Sequence, residues 1–481
     1  MTKNITVYSA VLAILLFALL ANLTYIQVFW ADELRSAPGN SRAVLEEYST
    51  QRGPILVGTA AVASSKATGS ELKYQREYAA GPKYAPATGF YSLTYGSTGL
   101  EKAENNVLSG NDARLFVDRL QQLFAGRDVQ GGNVETGLDS AAQEAAWRGL
   151  QGKIGAVAAI EPATGRILAL AQTPSFDPNK LASQDSSEVQ DYYESLNNDP
   201  TQPLLNRPLV QSLPPGSTFK VVTAAAALES GDFSPSSVLP GPATYTLPGT
   251  STSVGNWNKG PCGPNGEVTL EEALAVSCNT AFMWLGVQLG EEAMTAQAEA
   301  FGFNTSFDVP MTAAAARFPE TQNAAELAQA SIGQQDVRAT ALNMAQVTAA
   351  IANNGVTMYP YLVDGISSPD LRQLDTTQPE AFAEAMTTSN AADLMDMMVG
   401  VVDRGTGSNA RIPGVSVAGK TGTAERGNDN PNVAWFIASA PADNPQVAVA
   451  VMVENAGAQE VSGNQLAAPI ARDVIAAVLG G

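Results

Sequence analysis

The chain has 481 residues, 45% hydrophobic and 15% charged, the composition of an ordinary folded protein with room for two or three domains. A formal net charge of −20 argues against electrostatic binding of nucleic acid, so no nucleic-acid partner is expected. With no histidine and only two cysteines, Ser-His-Asp triads, Cys-His pairs, His-ligated metals and four-cysteine metal sites are all excluded, and neither metal nor cofactor is expected.

After Lys3 no charge occurs until Asp32, and Val7 to Trp30 is mostly aliphatic and aromatic. A membrane span needs about 20 such residues, whereas the apolar core of a cleavable signal runs only about 7–15. Tyr25, Phe29 and Trp30 cluster at the far end, where aromatic rings favour the interface. Residues 1–32 are therefore read as a short cytoplasmic tip and a single-pass anchor in the plasma membrane. Lys3 and the α-amine on the short side place the rest of the chain outside the cytoplasm, where disulfides are permitted.

Residues 33–135 are polar, Gly-rich and Tyr-rich, and read as a small elongated domain without evident chemistry. Leu115, Leu120 and Leu123 give helical spacing within Gly110 to Phe124. Ser70-Glu71-Leu72-Lys73 lies among charged residues with no turn before it, and its Ser-x-x-Lys spacing is read as chance.

Residues 136–481 form the third unit. Asp139 to Leu150 predicts a capped helix, and Ile154 to Ile160 and Arg166 to Ala171 predict strands joined by the turn Glu161-Pro162-Ala163-Thr164-Gly165. Val268 to Leu289, Ala324 to Ala330 and Ala339 to Asn353 carry helical signals. Val415 to Ala424, Val433 to Ala440 and Val447 to Glu454 predict three strands, and Leu466 to Leu479 a closing amphipathic helix. This pattern is α+β, an antiparallel sheet flanked by helices with a helical insert.

Within that unit Pro214-Pro215-Gly216-Ser217-Thr218-Phe219-Lys220 precedes an Ala-rich helical run. Ser217 sits at the mouth of that helix with Lys220 one turn on, the outline of a nucleophile beside its base. Without histidine the proton of such a serine must go to lysine or a carboxylate. Ser277-Cys278-Asn279 and Lys420-Thr421-Gly422-Thr423 follow in order. Each is weak alone; Ser-x-Asn recurs at Ser109, Ser195 and Ser462.

Together these three motifs are the set of penicillin-recognising serine enzymes. The chain resembles the class B penicillin-binding proteins, of the actinobacterial penicillin-binding protein A type, from Arg52-Gly53 to the last helix. Further matches are Tyr95-Gly96-Ser97-Thr98-Gly99-Leu100-Glu101, Gly165 to Leu170, Ser331-Ile332-Gly333-Gln334, Ala339-Thr340-Ala341 and Ala434-Trp435-Phe436. One departure is Asn432-Val433, where many relatives carry a histidine. The resemblance implies a penicillin-binding transpeptidase fold at 136–481 and a dimerisation-like domain at 33–135. It implies a D,D-transpeptidase that cross-links peptidoglycan stem peptides through an acyl-enzyme formed at D-Ala-D-Ala, is acylated by β-lactam antibiotics, and works with proteins of a division or elongation complex.

On that resemblance Ser217 attacks the carbonyl, Lys220 takes its proton, Ser277 relays it to the departing amine, and Asn279 orients Lys220 and the substrate amide. Lys420, Thr421, Gly422 and Thr423 line the opposite wall, with the substrate carboxylate in the field of Lys420 and at the hydroxyl of Thr423. The backbone N–H groups of Ser217 and Thr423 form an oxyanion hole, worth about 3–4 kcal/mol per donor. A neutral Lys220 means lowering its pKa from about 10.4 to about 7, a change of about 4–5 kcal/mol. Export permits a Cys262–Cys278 disulfide worth about 3 kcal/mol; two reduced thiols are the alternative. A β-lactamase, a D,D-carboxypeptidase and a non-catalytic penicillin-binding scaffold or sensor are the rival readings.

Overall fold

The computed structural model describes residues 2–30, 48–70, 72–126, 128–426, 432–454 and 462–480. The 32/33 boundary and Glu71 lie outside them. The chain opens with a 28-residue helix, Thr2–Phe29 (α1). Its segment Val7–Gln27 is long and apolar enough to cross a bilayer, and none of it is buried against the protein. A helix apolar all round and uncovered by its own chain has lipid as its natural solvent.

Next come short strands Ile55–Val57 (β1), Ala60–Ala67 (β2), Tyr74–Tyr78 (β3) and Asn133–Thr136 (β4). Buried Glu101 is the polar centre of this region, accepting from Arg52 Nε and Arg76 Nε, each at 2.6 Å. Helix Ser140–Leu150 (α2) begins where the Asp139 side chain accepts the Ala142 N–H at 2.7 Å, the expected N-cap. Strands Ile154–Ile160 (β5) and Ile167–Thr173 (β6) form the predicted hairpin. Then come helices Lys220–Ser230 (α3), Leu270–Ala275 (α4), Asn279–Ala300 (α5) and Ala341–Ala352 (α6). Strands Val363–Ser367 (β7) and Gln373–Thr376 (β8) and helix Thr388–Asp403 (α7) lead to Ala418–Ala424 (β9), Val433–Ala440 (β10), Val447–Glu454 (β11) and Ala468–Val478 (α8).

The main sheet has the order β9-β10-β11-β5-β6, antiparallel throughout, so the early hairpin joins the late three-strand meander. Ala156, Ala158, Trp435, Ile437, Ala450 and Met452 face the core that holds α6. Their neighbours Val157, Ala159, Phe436, Ala438, Val449 and Val451 face α2 and α8. A sheet covered on both faces needs apolar residues at every position, which is why β10 and β11 read as unbroken apolar runs.

Three features differ from the sequence expectation. The helical run 268–289 is interrupted at Val276–Cys278, with Ser277 at φ 59. The strand expected from Val415 starts at Ala418, because Val415 only bridges back to Ile412. The N-terminal strands form a six-stranded sheet, β8-β7-β4-β1-β2-β3, in which β7 and β8 come from the C-terminal unit. Asn133 Nδ2 donates to Ser368 O at 2.8 Å and Arg372 pairs with Asp118 at 2.8 Å across this seam.

Candidate active site

The turn before α3 is held by close backbone approaches. Gly216 has φ +54, and a Cβ there would lie 2.7 Å from Thr423 O. Gly216 N donates to Gly333 O at 3.0 Å, and a Cβ on Gly333 would meet Gly216 O at 2.1 Å. Both positions therefore require glycine. Buried Trp435 on β10 donates its indole N–H to Pro214 O at 2.9 Å, fixing the turn to the sheet. Gly216–Phe219 is a 3₁₀ turn running directly into α3 at Lys220. In a 3₁₀ turn residues three apart eclipse, which aligns Ser217 with Lys220. Ser217 is half-buried, and Lys220 is 0% exposed.

The second motif is built from a helix end. Cys278 N donates to Ala273 O at 2.8 Å and Ser277 N to Leu274 O at 3.2 Å, closing α4 with paired bonds of the Schellman type. The left-handed position of that motif ordinarily takes glycine; here it carries Ser277, whose hydroxyl is turned inward. Asn279 is the first residue of α5. Cys278 is joined to Cys262 by a disulfide with a Cα–Cα distance of 5.8 Å.

These pieces meet at two lysines. Lys220 Nζ lies 2.8 Å from Ser277 O, 2.7 Å from Asn279 Oδ1 and 3.3 Å from Ser277 Oγ. Lys420 Nζ donates to the other side of Ser277 Oγ at 2.9 Å and to Thr421 O at 3.0 Å. Ser277 Oγ thus bridges the two amines. Among the described residues no hydrogen bond reaches Ser217 Oγ and no carboxylate pairs with either lysine. The expected meeting of Ser217 with the Lys220 amine is replaced by the contacts to 277 and 279. Such bonds are often loose without substrate and tighten in the Michaelis complex.

Electrostatics favour a neutral amine at Lys220. Burial, and then the neighbouring Lys420, push Lys220 well below the ordinary lysine range. Burial alone brings Lys420, also 0% exposed, down to about 7. A neutral Lys220 can accept a proton from a hydroxyl, and its contact to Ser277 Oγ is the one whose direction can then reverse. Desolvation is the dominant cause for both groups.

Strand β9 is the edge of the main sheet and forms the opposite wall. Thr421 O accepts from Lys420 Nζ at 3.0 Å, and a Cβ on Gly216 would lie 2.7 Å from Thr423 O, so both carbonyls face the lysine and the Ser217 turn. Along a strand alternate residues present their N–H and C=O to the same side, so Thr423 faces the way Thr421 does. A Cβ on Gly422 would lie 2.9 Å from Pro215 O, so β9 and the Ser217 turn abut. Thr421 Oγ1 lies 2.7 Å from Thr406 Oγ1. An edge strand beside the Ser217 turn can receive an extended peptide by strand addition.

Sequence reasoning brings together Ser217, Lys220, Ser277, Asn279, Lys420, Thr421, Gly422 and Thr423, and the structure gathers all eight around one cleft. It did not single out Thr406, Gly333, Trp435 as an anchor of the turn, or Asn256, whose carbonyl oxygen accepts from Asn279 N at 3.0 Å. The tract 331–334 and the triplet 434–436 carried a faint signal for two of these; Asn256 and Thr406 carried none. Ser70 and Lys73 sit elsewhere, Ser70 Oγ donating to Leu72 O at 2.8 Å and Lys73 pairing with Asp128 at 3.2 Å, both exposed.

Residues 155–476 match the penicillin binding protein transpeptidase domain, and residues 52–134 the penicillin binding protein A dimerisation domain. The chain belongs to the penicillin-binding protein transpeptidase family. The peptidoglycan D,D-transpeptidase PbpA of Mycolicibacterium smegmatis is 46% identical over 100% of this chain and 99% of its own length. PbpA of Mycobacterium tuberculosis is 44% identical over 100% of both chains. The structure of the M. tuberculosis protein as a ceftriaxone acyl-enzyme superposes with a TM-score of 0.88 over 90% of this chain and 100% of that one, at 44% identity.

Proposed function

We propose that the chain is a membrane-anchored peptidoglycan D,D-transpeptidase, with Ser217 as its acylated nucleophile. The observation that carries this is the run Lys220–Ser277–Lys420 beside Ser217: two buried lysines bridged by one hydroxyl, with no carboxylate among the described residues to hold Lys220 charged. The relatives named D,D-transpeptidases and the acyl-enzyme of the M. tuberculosis protein support it.

Ser217 Oγ attacks the carbonyl carbon of the penultimate D-Ala, and its proton passes to the neutral Lys220 amine. The developing oxyanion is held by the N–H groups of Ser217 and Thr423. The C–N bond then breaks, and the proton on Lys220 travels through Ser277 Oγ to the amine of the departing D-Ala. An acceptor amine attacks the ester, gives a proton back along the same route and releases Ser217. A β-lactam acylates by the same steps, with its ring C–N bond as the one that breaks. Asn279 orients Lys220 and the substrate amide, and Lys420 and the Thr423 hydroxyl receive the terminal carboxylate. Thr421 and Gly422 complete the wall that a donor peptide extends along.

On this reading residues 1–32 are the cytoplasmic tip and anchor, 33–135 a non-catalytic dimerisation-like domain and 136–481 the transpeptidase, working with division or elongation proteins. The Cys262–Cys278 bond and Lys3 before the span support an extracytoplasmic catalytic domain. Incubation with a D-Ala-D-Ala stem-peptide analogue and an added amine acceptor tests the activity. Cross-linked product with release of D-Ala is expected; hydrolysed tetrapeptide alone would make the protein a carboxypeptidase, and no turnover would leave a binding scaffold.

A further inference from the structure

The peptide units on which Ser277 and Asn279 depend are gripped by a residue outside the three motifs. Helix α5 starts at Asn279, and its first N–H groups have no partner within the helix. A cap is ordinarily supplied by the residue just before, through a Ser, Thr, Asp or Asn side chain. Here that residue is Cys278, which makes no side-chain cap because its sulfur is committed to Cys262. The acceptor comes instead from Asn256, on the loop after residues 253–255. Its Oδ1 accepts from Asn279 N at 3.0 Å and from Thr280 N at 3.1 Å. Its Nδ2 donates to Pro242 O and to Gly260 O, both at 2.9 Å. A buried amide has two donors and two acceptor positions, and Asn256 uses all four.

The same loop holds the motif at further points. Asn279 Nδ2 donates to Gly255 O at 3.1 Å, and Trp257 Nε1 to Val276 O at 3.0 Å. The disulfide ties the Cβ of Cys278, and the Cys278 N–H bond to Ala273 O fixes the 277–278 peptide plane that carries Ser277 O. The 278–279 plane leads into Asn279, whose Oδ1 is the shortest contact of Lys220 Nζ. Among the side chains described, Asn256 is the one that fixes the 278–279 plane directly, through the Asn279 N–H.

We propose that Asn256 is a positioning residue for the acyl-transfer reaction, a cap supplied across the fold that keeps Asn279 trained on Lys220. The proposal rests on the assignment of Ser217 and Lys220 above. It touches neither substrate nor the reacting atoms, and acts through the α5 terminus. Its removal therefore slows the acylation step while leaving the initial encounter with the drug largely intact, because the β9 wall and the Ser217 turn are untouched.

The test is acylation of the full chain, in detergent or nanodiscs, by a fluorescent penicillin, separating pre-covalent binding from the acylation rate constant and counting label per chain at saturation. Asn256→Ala is expected to lower the acylation rate constant by about 10–100-fold, the penalty of a displacement near 1 Å. Pre-covalent binding stays within about 3-fold and labelling still reaches one per chain, since uniform binding is kept while the reactive geometry is lost. Asn256→Asp keeps both accepted bonds but gives up the two donated to Pro242 O and Gly260 O, so its rate is expected to fall between those of Asn256→Ala and wild type. A wild-type rate constant in Asn256→Ala overturns the proposal. So does sub-stoichiometric labelling whose reactive fraction acylates at the wild-type rate, which is a folding effect alone. If wild type takes no label, or Ser217→Ala takes it, the underlying active-site assignment fails instead.

Discussion

Lys220 and Lys420 are the residues that sequence and structure constrain most tightly. A lysine whose folded pKa is about 7 binds fewer protons in the native state than unfolded, where the value is about 10.4, throughout the window between them. Stability therefore rises with pH across that window, and below about 7 the full cost of burying the charge, about 4–5 kcal/mol, bears on the fold. Lys420→Met should be more stable than wild type to urea at pH 7, with the difference shrinking toward pH 10, and should lose β-lactam acylation. Lys220 titrates in the same direction, and acylation needs its neutral form, so the rate should fall as pH is lowered through that titration. Lys220→Arg, permanently charged, should acylate at least about 10³-fold more slowly in stopped-flow labelling. Both lysines were legible from motif spacing together with the absence of histidine. Their actual partners were not, because hydrogen bonds across 57 and 143 residues leave no local trace.

At the scale of elements, the break between α4 and α5 is the clearest departure from the sequence reading. Val268 to Leu289 contains Ala and Leu at helical spacing, and its one glycine, Gly286, lies beyond the break. The chain stops α4 with Ser277 in a left-handed conformation, which costs a non-glycine residue about 1–2 kcal/mol. Ser277→Gly should therefore gain about 1 kcal/mol in chemical denaturation while slowing acylation by about 10²-fold or more, since the hydroxyl between the two amines is lost. The Cys262–Cys278 bond closes the adjoining loop across a sequence separation of 16. Unreduced, denatured protein should show no titratable thiol and reduced protein two. The Cys262→Ser, Cys278→Ser variant should lose about 3 kcal/mol of stability. Strands β9 to β11 and helices α2 and α8 were legible because buried runs and caps are local signals; the pairing of β11 with β5 was not.

For the whole molecule, the sheet that crosses from the N-terminal strands to β7 and β8 means that neither part is closed without the other. Removing residues after 136 would expose the β4 edge and strip Asp118 and Glu135 of Arg372 and Ser367. A fragment spanning 48–136 should be largely unfolded by circular dichroism, whereas a native-like spectrum would show the seam to be dispensable. The sequence marked a change of texture near Gly137 and suggested a boundary; strand addition from more than 200 residues later is a property of topology that composition does not record. The central claim of the proposed function is that acylation falls on Ser217, beside the two buried lysines Lys220 and Lys420. The most direct measurement of that claim is mass-spectrometric mapping of the adduct formed by a fluorescent penicillin on the full-length protein, with Ser217→Ala in parallel. One acyl group on the peptide containing Ser217, and none on the variant, is the predicted result; an adduct on another residue, or equal labelling of the variant, would contradict it.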